Sequence, residues 1–157
     1  MERIGKYEIL HELGQGGMGI VYKARDPVIG RDVAVKVVQD HILDTPTLRE
    51  RFYREARSAG RLSHTNITTL YDIGEEEGAP YLVMEFLGGT DLGTLIRRNA
   101  SFTLEEKIEI GMQICRGLQY AHQNNVIHRD IKPDNIRLLA GNRVKIMDFG
   151  IARLDTE

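Results

Sequence analysis

The residues best suited to chemistry lie in one polar stretch, His128-Arg129-Asp130-Ile131-Lys132-Pro133-Asp134-Asn135. It combines a possible base, cations and oxygen ligands of the kind that metal ions bind. Because helices disfavour an internal proline, Pro133 predicts a loop rather than a helix face. Further along, Asp148-Phe149-Gly150 places a second acidic group beside a glycine. Asp130, Asn135 and Asp148 together could hold magnesium ions and leave one carboxylate to accept the proton of a hydroxyl group.

Composition limits the classes of function. The chain has 157 residues, the size of one ordinary domain, and 41% of them are hydrophobic, enough for a core. With 21 basic and 23 acidic side chains, the net charge is -2, which gives no reason to expect a nucleic-acid partner. No apolar run approaches the roughly 18–20 residues of a membrane span. Residues 1–10 contain no apolar signal region.

Cys115 is the single cysteine, so no internal disulfide can form. This composition fits a reducing compartment, and we expect a cytoplasmic protein with no membrane segment. Cys115 lies beside Ile114 in a helical pattern, close to Leu118. The pattern predicts a small core residue rather than a catalytic thiol.

A glycine-rich stretch, Gly14-Gln15-Gly16-Gly17-Met18-Gly19, follows a strand predicted over residues 7–13. In a dinucleotide-binding fold a helix should follow such a stretch at once. Here residues 20–24 are β-rich and Asp26-Pro27 then interrupts the chain, which predicts a hairpin instead. The glycines would let the backbone lie close over phosphates. A plain glycine-rich hairpin is the alternative interpretation.

Two charged residues lie within secondary-structure elements that the pattern of apolar residues predicts. Lys36 interrupts an apolar strand predicted over residues 32–38, where it could extend towards solvent or aim its ammonium at phosphate oxygens. A helix predicted to begin at Thr45-Pro46 carries an apolar stripe as far as Leu62 and contains Glu55. Arg51, four residues before Glu55, is an available partner for that carboxylate.

The rest of the chain predicts two further strands, over residues 68–73 and 81–86, separated by an acidic turn over residues 74–80. Gly88-Gly89 is the natural boundary between a β-rich part and a helical part. Asp91 fits a helix N-cap. A capping box at Thr103 begins a second helix that extends past Ala121, and residues 138–146 predict a short hairpin.

Each of these residues alone would fit a solvated turn or an ordinary surface. In this order, however, they resemble the motifs of eukaryotic-type (Hanks-type) serine/threonine protein kinases. The amino-acid sequence of these motifs is similar to that of bacterial members of the family. The stretch from His128 resembles the catalytic loop, and Asp148-Phe149-Gly150 resembles the metal-binding triplet. Val21 completes the kinase form of the glycine motif, and Val33-Ala34-Val35-Lys36 resembles the strand that carries a phosphate-pairing lysine. Lys132, two residues after Asp130, is the choice of the serine/threonine class.

The resemblance implies an α+β, bilobal protein-kinase fold. Residues 1–87 would form the small lobe, with a five-stranded antiparallel sheet, one helix and a hinge at its end. Residues 88–157 would form the first part of the helical large lobe. The implied reaction transfers the γ-phosphoryl group of ATP to Ser or Thr hydroxyls of a protein substrate, with ATP and Mg2+ bound.

The resemblance also implies roles for individual residues. Asp130 would orient the hydroxyl and accept its proton, and Lys132 would balance charge on the transferred group. Asn135 and Asp148 would ligate magnesium. Glu55 would hold Lys36 against the α- and β-phosphates, and His128 and Phe149 would be packing residues. The nucleotide would contact a larger set of residues: Gly14, Gly16, Gly19, Val21, Ala34, Lys36, Glu85, Leu87 and Asp91.

Two features depart from the family pattern. The family usually has an apolar residue at the position of Arg137, where it touches the adenine ring. A guanidinium there could stack on a purine or disturb the pocket. The chain also ends seven residues after Gly150, so most of the activation segment and the peptide-binding platform would lie outside it. The rival hypothesis is therefore a truncated nucleotide-binding fragment or pseudokinase that acts only by binding.

Overall fold

The computed structural model describes residues 3–39 and 43–149. An antiparallel sheet of six strands, in the order β1-β2-β3-β4-β6-β5, dominates the first part of the chain. Its strands are β1 (Arg3–Ile4), β2 (Tyr7–Gly16), β3 (Gly19–Asp26), β4 (Arg31–Val38), β5 (Leu70–Glu76) and β6 (Ala79–Glu85). The sheet has six strands rather than the expected five, because Arg3–Ile4 adds a two-residue strand that pairs with the start of β2.

One face of this sheet forms a buried apolar cluster. Val33 and Val35 lie two positions apart on β4, so they point to the same face, and both are fully buried there. The cluster is completed by residues from the neighbouring strands: Ile4, Tyr7, Ala24, Tyr81 and Val83. Since side chains alternate between the faces of a strand, the other face of β4 carries Ala34 and Lys36. The core therefore fixes which strand residues face away from it.

The helix α1 (Pro46–Ala59) begins as the sequence predicts. The Thr45 side chain accepts a hydrogen bond from the backbone N–H of Leu48, and Pro46 occupies the first helical position. Phe52, Ala56 and Ala59 are its buried residues. The helix ends at Ala59, three residues before the predicted Leu62.

From residue 87 to residue 149, the structure describes two α-helices and a small sheet. These elements are β7 (Thr90–Asp91), α2 (Leu92–Arg97), α3 (Leu104–Gln123), β8 (Ile136–Leu138) and β9 (Val144–Ile146). The capping box at Thr103 is present, with the Thr103 side chain bound to the Glu106 backbone and the Glu106 side chain bound to the Thr103 backbone. Buried Asn66 donates to Gln113 of α3 and to the carbonyl of Val144, 3.0 Å in each case, and so joins α3 to β9.

The chain folds into two compact units. Among the described residues, the first unit contains residues 3–39, 43–60 and 70–86, and the second contains residues 61–69 and 87–149. The domain boundary predicted after residue 87 stays a prediction. The two compact units do not divide the sequence at a single point, because residues 61–69 belong to the second unit although residues 70–86 belong to the first. Within the described residues, no helix is both long and apolar enough to cross a membrane.

Two local predictions are wrong, and the loop predicted from His128 contains one short 3-10 turn. Residues 74–80 are not one acidic turn, because β5 continues to Glu76 and only Glu77-Gly78 turns, with φ of 49° and 86°. Pro133 begins a single 3-10 turn, Pro133–Asn135, where its missing N–H is not needed. Cys115 is exposed rather than part of the core.

Candidate active site

Four side chains of the first unit share the face of the sheet opposite the apolar cluster. Lys36 of β4 pairs with Val21 of β3, and Ala34 pairs with Met84 of β6. Residues that are directly opposite in antiparallel strands point to the same face. Lys36 is only 8% exposed, so its charged end belongs to this face rather than to bulk solvent. The structure therefore brings Val21, Ala34 and Lys36 together, as the nucleotide-site hypothesis requires.

The glycine hairpin connects β2 and β3, with Gly16 opposite Gly19. Gly19 has φ of 149° and a Cβ there would collide with the backbone of Val37, so packing requires glycine. Gly14 and Gly16 are different, because a Cβ at either position would meet no atom within 4 Å. Packing within the chain thus accounts for Gly19 but leaves Gly14 and Gly16 unexplained.

Glu55 lies on α1, where it forms an ion pair with Arg51. The distance between Arg51 Nε and Glu55 Oε1 is 3.2 Å, and the Glu55 side chain is 12% exposed. This is the neighbour four residues away that the sequence makes available. The partnership of Glu55 with Lys36 stays a prediction.

His128 is the structural centre of the second unit's polar site. It is 2% exposed, and its Nε2 lies 2.6 Å from the carbonyl oxygen of Met147. Its Nδ1 accepts a hydrogen bond from the backbone N–H of Asp130, which leaves Nε2 as the donor to Met147. The Phe149 ring packs edge-on at 4.6 Å between centroids. Burial lowers the pKa of His128 and outweighs the Met147 carbonyl and nearby carboxylates, which favour the charged form.

Asp130 lies between a cation and an amide. Its Oδ2 is 2.8 Å from Lys132 Nζ and accepts a 3.1 Å hydrogen bond from Asn135 Nδ2. The same Asn135 amide donates to the Asp130 carbonyl at 2.9 Å. The hydrogen bond from Lys132 lowers the pKa of Asp130 and in turn raises that of Lys132. Asp130 is therefore held as a carboxylate, partly exposed and with a fixed orientation.

Asn135 and Asp148 are held near each other through Met147. The backbone N–H of Met147 donates to the Asn135 carbonyl at 2.9 Å. Because the side-chain amide nitrogen of Asn135 is engaged by Asp130, its side-chain oxygen is the atom that could serve as a neutral metal ligand. No cluster of three His, Cys, Asp or Glu residues suited to a metal occurs in the described parts of the chain. One amide and one carboxylate nevertheless fit Mg2+, which usually takes few protein ligands and completes its shell with water and phosphate oxygens.

Both motifs contain a residue with unusual backbone geometry. Arg129 has φ of 68° and Asp148 has φ of 55°. Residues other than glycine adopt such values infrequently, and they concentrate at functional sites. The backbone therefore adopts a left-handed conformation directly before Asp130 and at Asp148 itself. Gly150 lies outside the described residues.

The segment that begins at the last residue of β6 contains Glu85, Leu87 and Asp91. Glu85 ends β6 in the first unit, whereas Leu87 is buried in the second. Asp91 is the N-cap of α2 and accepts hydrogen bonds from the Thr94 N–H at 2.7 Å and hydroxyl at 2.9 Å. Burial opposes ionisation of Asp91, but these bonds and Arg97 hold its pKa below the usual value. The N-cap interpretation is confirmed, and a contact with ribose stays a prediction.

Sequence reasoning missed several contacts around this site. Arg137 Nε donates to the Gly88 carbonyl at 3.0 Å. Asp134 pairs with Arg97 at 3.0 Å, and a Cβ at Gly93 would collide with the Asp134 carboxylate. The residue types at positions 93, 97 and 134 gave no signal, because the partners are 37 or more residues apart.

Comparison with known proteins decides the family. The family described as protein kinase domain matches residues 7–156. The chain belongs to the protein kinase family. It is 44% identical over 152 residues to the serine/threonine-protein kinase PknB of Mycobacterium leprae, covering 94% of this chain and 24% of that protein. A probable serine/threonine-protein kinase PknB of Corynebacterium glutamicum is 43% identical, with the same coverage.

A solved kinase has the same fold. The crystal structure of the Mycobacterium tuberculosis PknI kinase domain superposes with a TM-score of 0.84 and 32% identity, over 96% of this chain and 62% of that one. The predicted protein-kinase fold and the resemblance to bacterial serine/threonine kinases are therefore confirmed. The chain spans about a quarter of the length of the curated relatives that it matches.

Proposed function

We propose that this chain is the nucleotide-binding and catalytic-loop part of a serine/threonine protein kinase, which transfers the γ-phosphoryl group of ATP to a Ser or Thr hydroxyl of a protein. The observation that carries the proposal is the arrangement of Asp130 between Lys132 and Asn135. It supplies a carboxylate of fixed orientation with a cation 2.8 Å away, as transfer of a charged phosphoryl group to a hydroxyl needs.

In this reaction, the Asp130 carboxylate accepts a hydrogen bond from the acceptor hydroxyl and aligns it with the γ-phosphorus. The hydroxyl oxygen forms a bond to phosphorus as the bond to the β-phosphate oxygen breaks, and ADP leaves. Because its pKa is lowered, Asp130 is a weak base and accepts the proton late in the transfer. Lys132 stabilises negative charge on the transferred group. Mg2+ held by Asn135 and Asp148 would neutralise phosphate charge.

The first unit would hold the remainder of ATP. We assign Lys36 to the α- and β-phosphates, with Glu55 as its partner, and we assign Gly14, Gly16 and Gly19 to the backbone that covers the phosphates. The open space at Gly14 and Gly16 supports this assignment, because packing within the chain does not require glycine there. Val21 and Ala34 would contact the base on the same face of the sheet. The backbone groups of Glu85 and Leu87 would bind its edge, and Asp91 the ribose.

The proposed partners are ATP, Mg2+ and a protein with a Ser or Thr acceptor. The single cysteine supports the reducing cytoplasm as the compartment. No observation favours a pseudokinase, since each residue assigned to phosphoryl transfer is present in the sequence.

The test is phosphoryl transfer by residues 1–149 continued with the remainder of the kinase domain of the Mycobacterium leprae relative. Asp130→Asn should lower kcat at least about 100-fold and leave the KM for ATP within about threefold, because its interaction is made mainly in the transition state. Asp134→Asn, a carboxylate of the same loop that pairs with Arg97, is the matched control. Turnover of Asp130→Asn within about twofold of the unaltered protein would reject the assignment. Nucleotide binding without any transfer by the unaltered protein would favour the binding-only alternative.

A further inference from the structure

Gly88 and Gly89 follow Leu87 and lie directly before β7, the strand that pairs with β8. Thr90 and Asp91 of β7 pair with Leu138 and Arg137 of β8. Gly89 has φ of 70°, and a Cβ there would collide with the Leu138 carbonyl. The chain therefore passes close to β8 immediately after Gly88. A Gly-Gly pair is otherwise the most flexible of dipeptides, because it lacks both side chains.

Arg137 extends this attachment to Gly88. Its neighbours in β8, Ile136 and Leu138, are buried, so strand alternation places the Arg137 side chain on the opposite face. From there its Nε donates to the Gly88 carbonyl at 3.0 Å, across 49 residues of sequence. A hydrogen bond from a charged guanidinium is stronger than one between neutral groups, and the planar guanidinium gives it a defined direction.

We propose that Arg137 is a positioning residue for the nucleotide, which fixes the peptide between Leu87 and Asp91 before the nucleotide binds. This inference rests on the proposed function, which assigns the Leu87 backbone to the adenine edge. The Gly88 carbonyl that Arg137 holds belongs to the residue directly after Leu87. Fixing it restricts the peptide plane that neighbours the proposed adenine contact.

The proposal differs from the two possibilities that the sequence left open. An arginine that stacks on the purine, or one that crowds the pocket, would act by direct contact with the base. Here the Nε–H of Arg137 is engaged by the protein backbone. In the proposal, the effect of Arg137 on the nucleotide is indirect, because a segment ordered in advance loses less conformational entropy on binding.

The first experiment measures amide hydrogen exchange of the 157-residue chain without nucleotide. Arg137→Leu removes the donor, and Arg137→Lys keeps the positive charge but not the planar Nε–H. Arg143→Leu, an exposed arginine in the connection between β8 and β9, is the matched control. In both Arg137 variants the amides of residues 88–91 should exchange about tenfold faster, because opening this segment no longer breaks the guanidinium bond. Amides of β9 should keep their protection, which shows that the unit remains folded. Unchanged exchange at residues 88–91 in Arg137→Leu would overturn the proposal.

The second experiment titrates adenosine and Mg-ATP into the same proteins. Because the proposed effect lies at the base, Arg137→Leu and Arg137→Lys should raise the Kd of both ligands by a similar factor, about fivefold. An unchanged or lower Kd for adenosine would overturn the proposal, even if the Kd for Mg-ATP were raised. If the unaltered chain binds neither ligand, the proposed function fails and the nucleotide role of Arg137 fails with it. The exchange experiment would still decide whether Arg137 holds Gly88.

Discussion

The His128 imidazole connects two segments that are nineteen positions apart in the sequence. Through its two ring nitrogens it holds the backbone of Asp130 and that of Met147, the residue before Asp148. These bonds, rather than any chemistry of the imidazole itself, fix the backbone at Asp130 and directly before Asp148. This requires a neutral ring, since the protonated ring would lose its acceptor nitrogen.

The first prediction concerns Asp148. Asp148→Asn should weaken the binding of ATP in the presence of magnesium at least about tenfold and leave magnesium-free binding nearly unchanged, because a charged oxygen ligand becomes neutral. Titration of ATP at saturating magnesium and in the presence of a chelator checks this. Asp134→Asn makes the same change in net charge and should leave the magnesium dependence intact. An Asp148→Asn protein with the full magnesium dependence would reject Asp148 as a ligand.

The second prediction is a pH dependence of stability due to His128. Burial lowers the pKa of the folded His128 below that of the unfolded residue, about 6.5. The unfolded chain therefore takes up a proton first as the pH falls. The stabilisation by neutral His128 is complete above about pH 6.5 and declines as the pH falls towards the folded pKa.

Urea unfolding at pH 7.5 and at pH 5.5 measures this decline. His128→Gln, whose amide can still donate to Met147, should lose less stability between the two pH values than the unaltered chain. His122→Gln, which replaces an exposed histidine of α3, should leave the decline as it is. An equal decline in His128→Gln would show that other groups cause it.

At the level of single residues, motif spacing was sufficient to find the candidate site but not its contacts. Asp130, Lys132 and Asn135 lie together because they are close in sequence, whereas the bond of Arg137 to Gly88 depends on how β7 pairs with β8. The sequence predicts that Cys115 lies in the core, because apolar residues flank it in a helical pattern. The face of α3 that is buried contains Ile110, Gly117 and Ala121 instead, and the pattern is too broadly apolar to define that face.

In the glycine hairpin between β2 and β3, one glycine is required by packing, whereas another is assigned to the nucleotide, so the two roles can be tested separately. The third prediction compares Gly16→Ala with Gly19→Ala. Gly19→Ala should reduce the free energy of unfolding by about 2 kcal/mol or more, because a methyl group would collide with the backbone of β4. Gly16→Ala should change stability by no more than about 0.5 kcal/mol but weaken Mg-ATP binding about fivefold, if the backbone there approaches phosphates.

Denaturant unfolding and ATP titration of both variants check this difference. Gly111→Ala, which lies in α3 with no atom within 4 Å of the added Cβ, should leave ATP binding unchanged and preserve or raise stability. Unaltered ATP affinity in Gly16→Ala would remove the reason for assigning that glycine to the nucleotide.

Element ends were predictable where one side chain determines them. Thr45 and Thr103 are N-caps because a hydroxyl followed by a suitable first turn satisfies free backbone N–H groups locally. The extension of β5 to Glu76 was not predictable in this way. Glu75 is held by Arg49 and Glu76 by the backbone N–H of Gly5, so distant partners keep an acidic segment in the strand.

In the whole molecule, the helix α3 leaves an apolar stripe exposed. Leu104, Ile108 and Met112 are spaced four residues apart and therefore lie along one side of the helix. They are 67%, 54% and 45% exposed, respectively. Cys115, three residues after Met112, is exposed as well. Contiguous apolar surface of this kind promotes association once it exceeds a few hundred Å2.

The fourth prediction follows from this stripe. The purified 157-residue polypeptide should self-associate reversibly at concentrations of about 10–100 µM, since transiently or permanently exposed apolar surface associates in this range. Sedimentation velocity over a series of concentrations measures it. The double variant Ile108→Glu, Met112→Lys should be monomeric, because it places a charge pair of favourable order on the stripe without changing the net charge.

The matched control is Val28→Glu, Ile29→Lys, which makes the same chemical change at the turn between β3 and β4. Val28 and Ile29 are 78% and 62% exposed, but they form an isolated pair on a turn rather than a stripe on a helix. If the continuity of the apolar surface drives association, this control should associate like the unaltered chain. If the control becomes monomeric while the α3 double variant still associates, the surface that drives self-association lies on the first unit rather than on α3. A polypeptide that is monomeric at every concentration would show that the exposed side chains of α3 are too dispersed to bind one another.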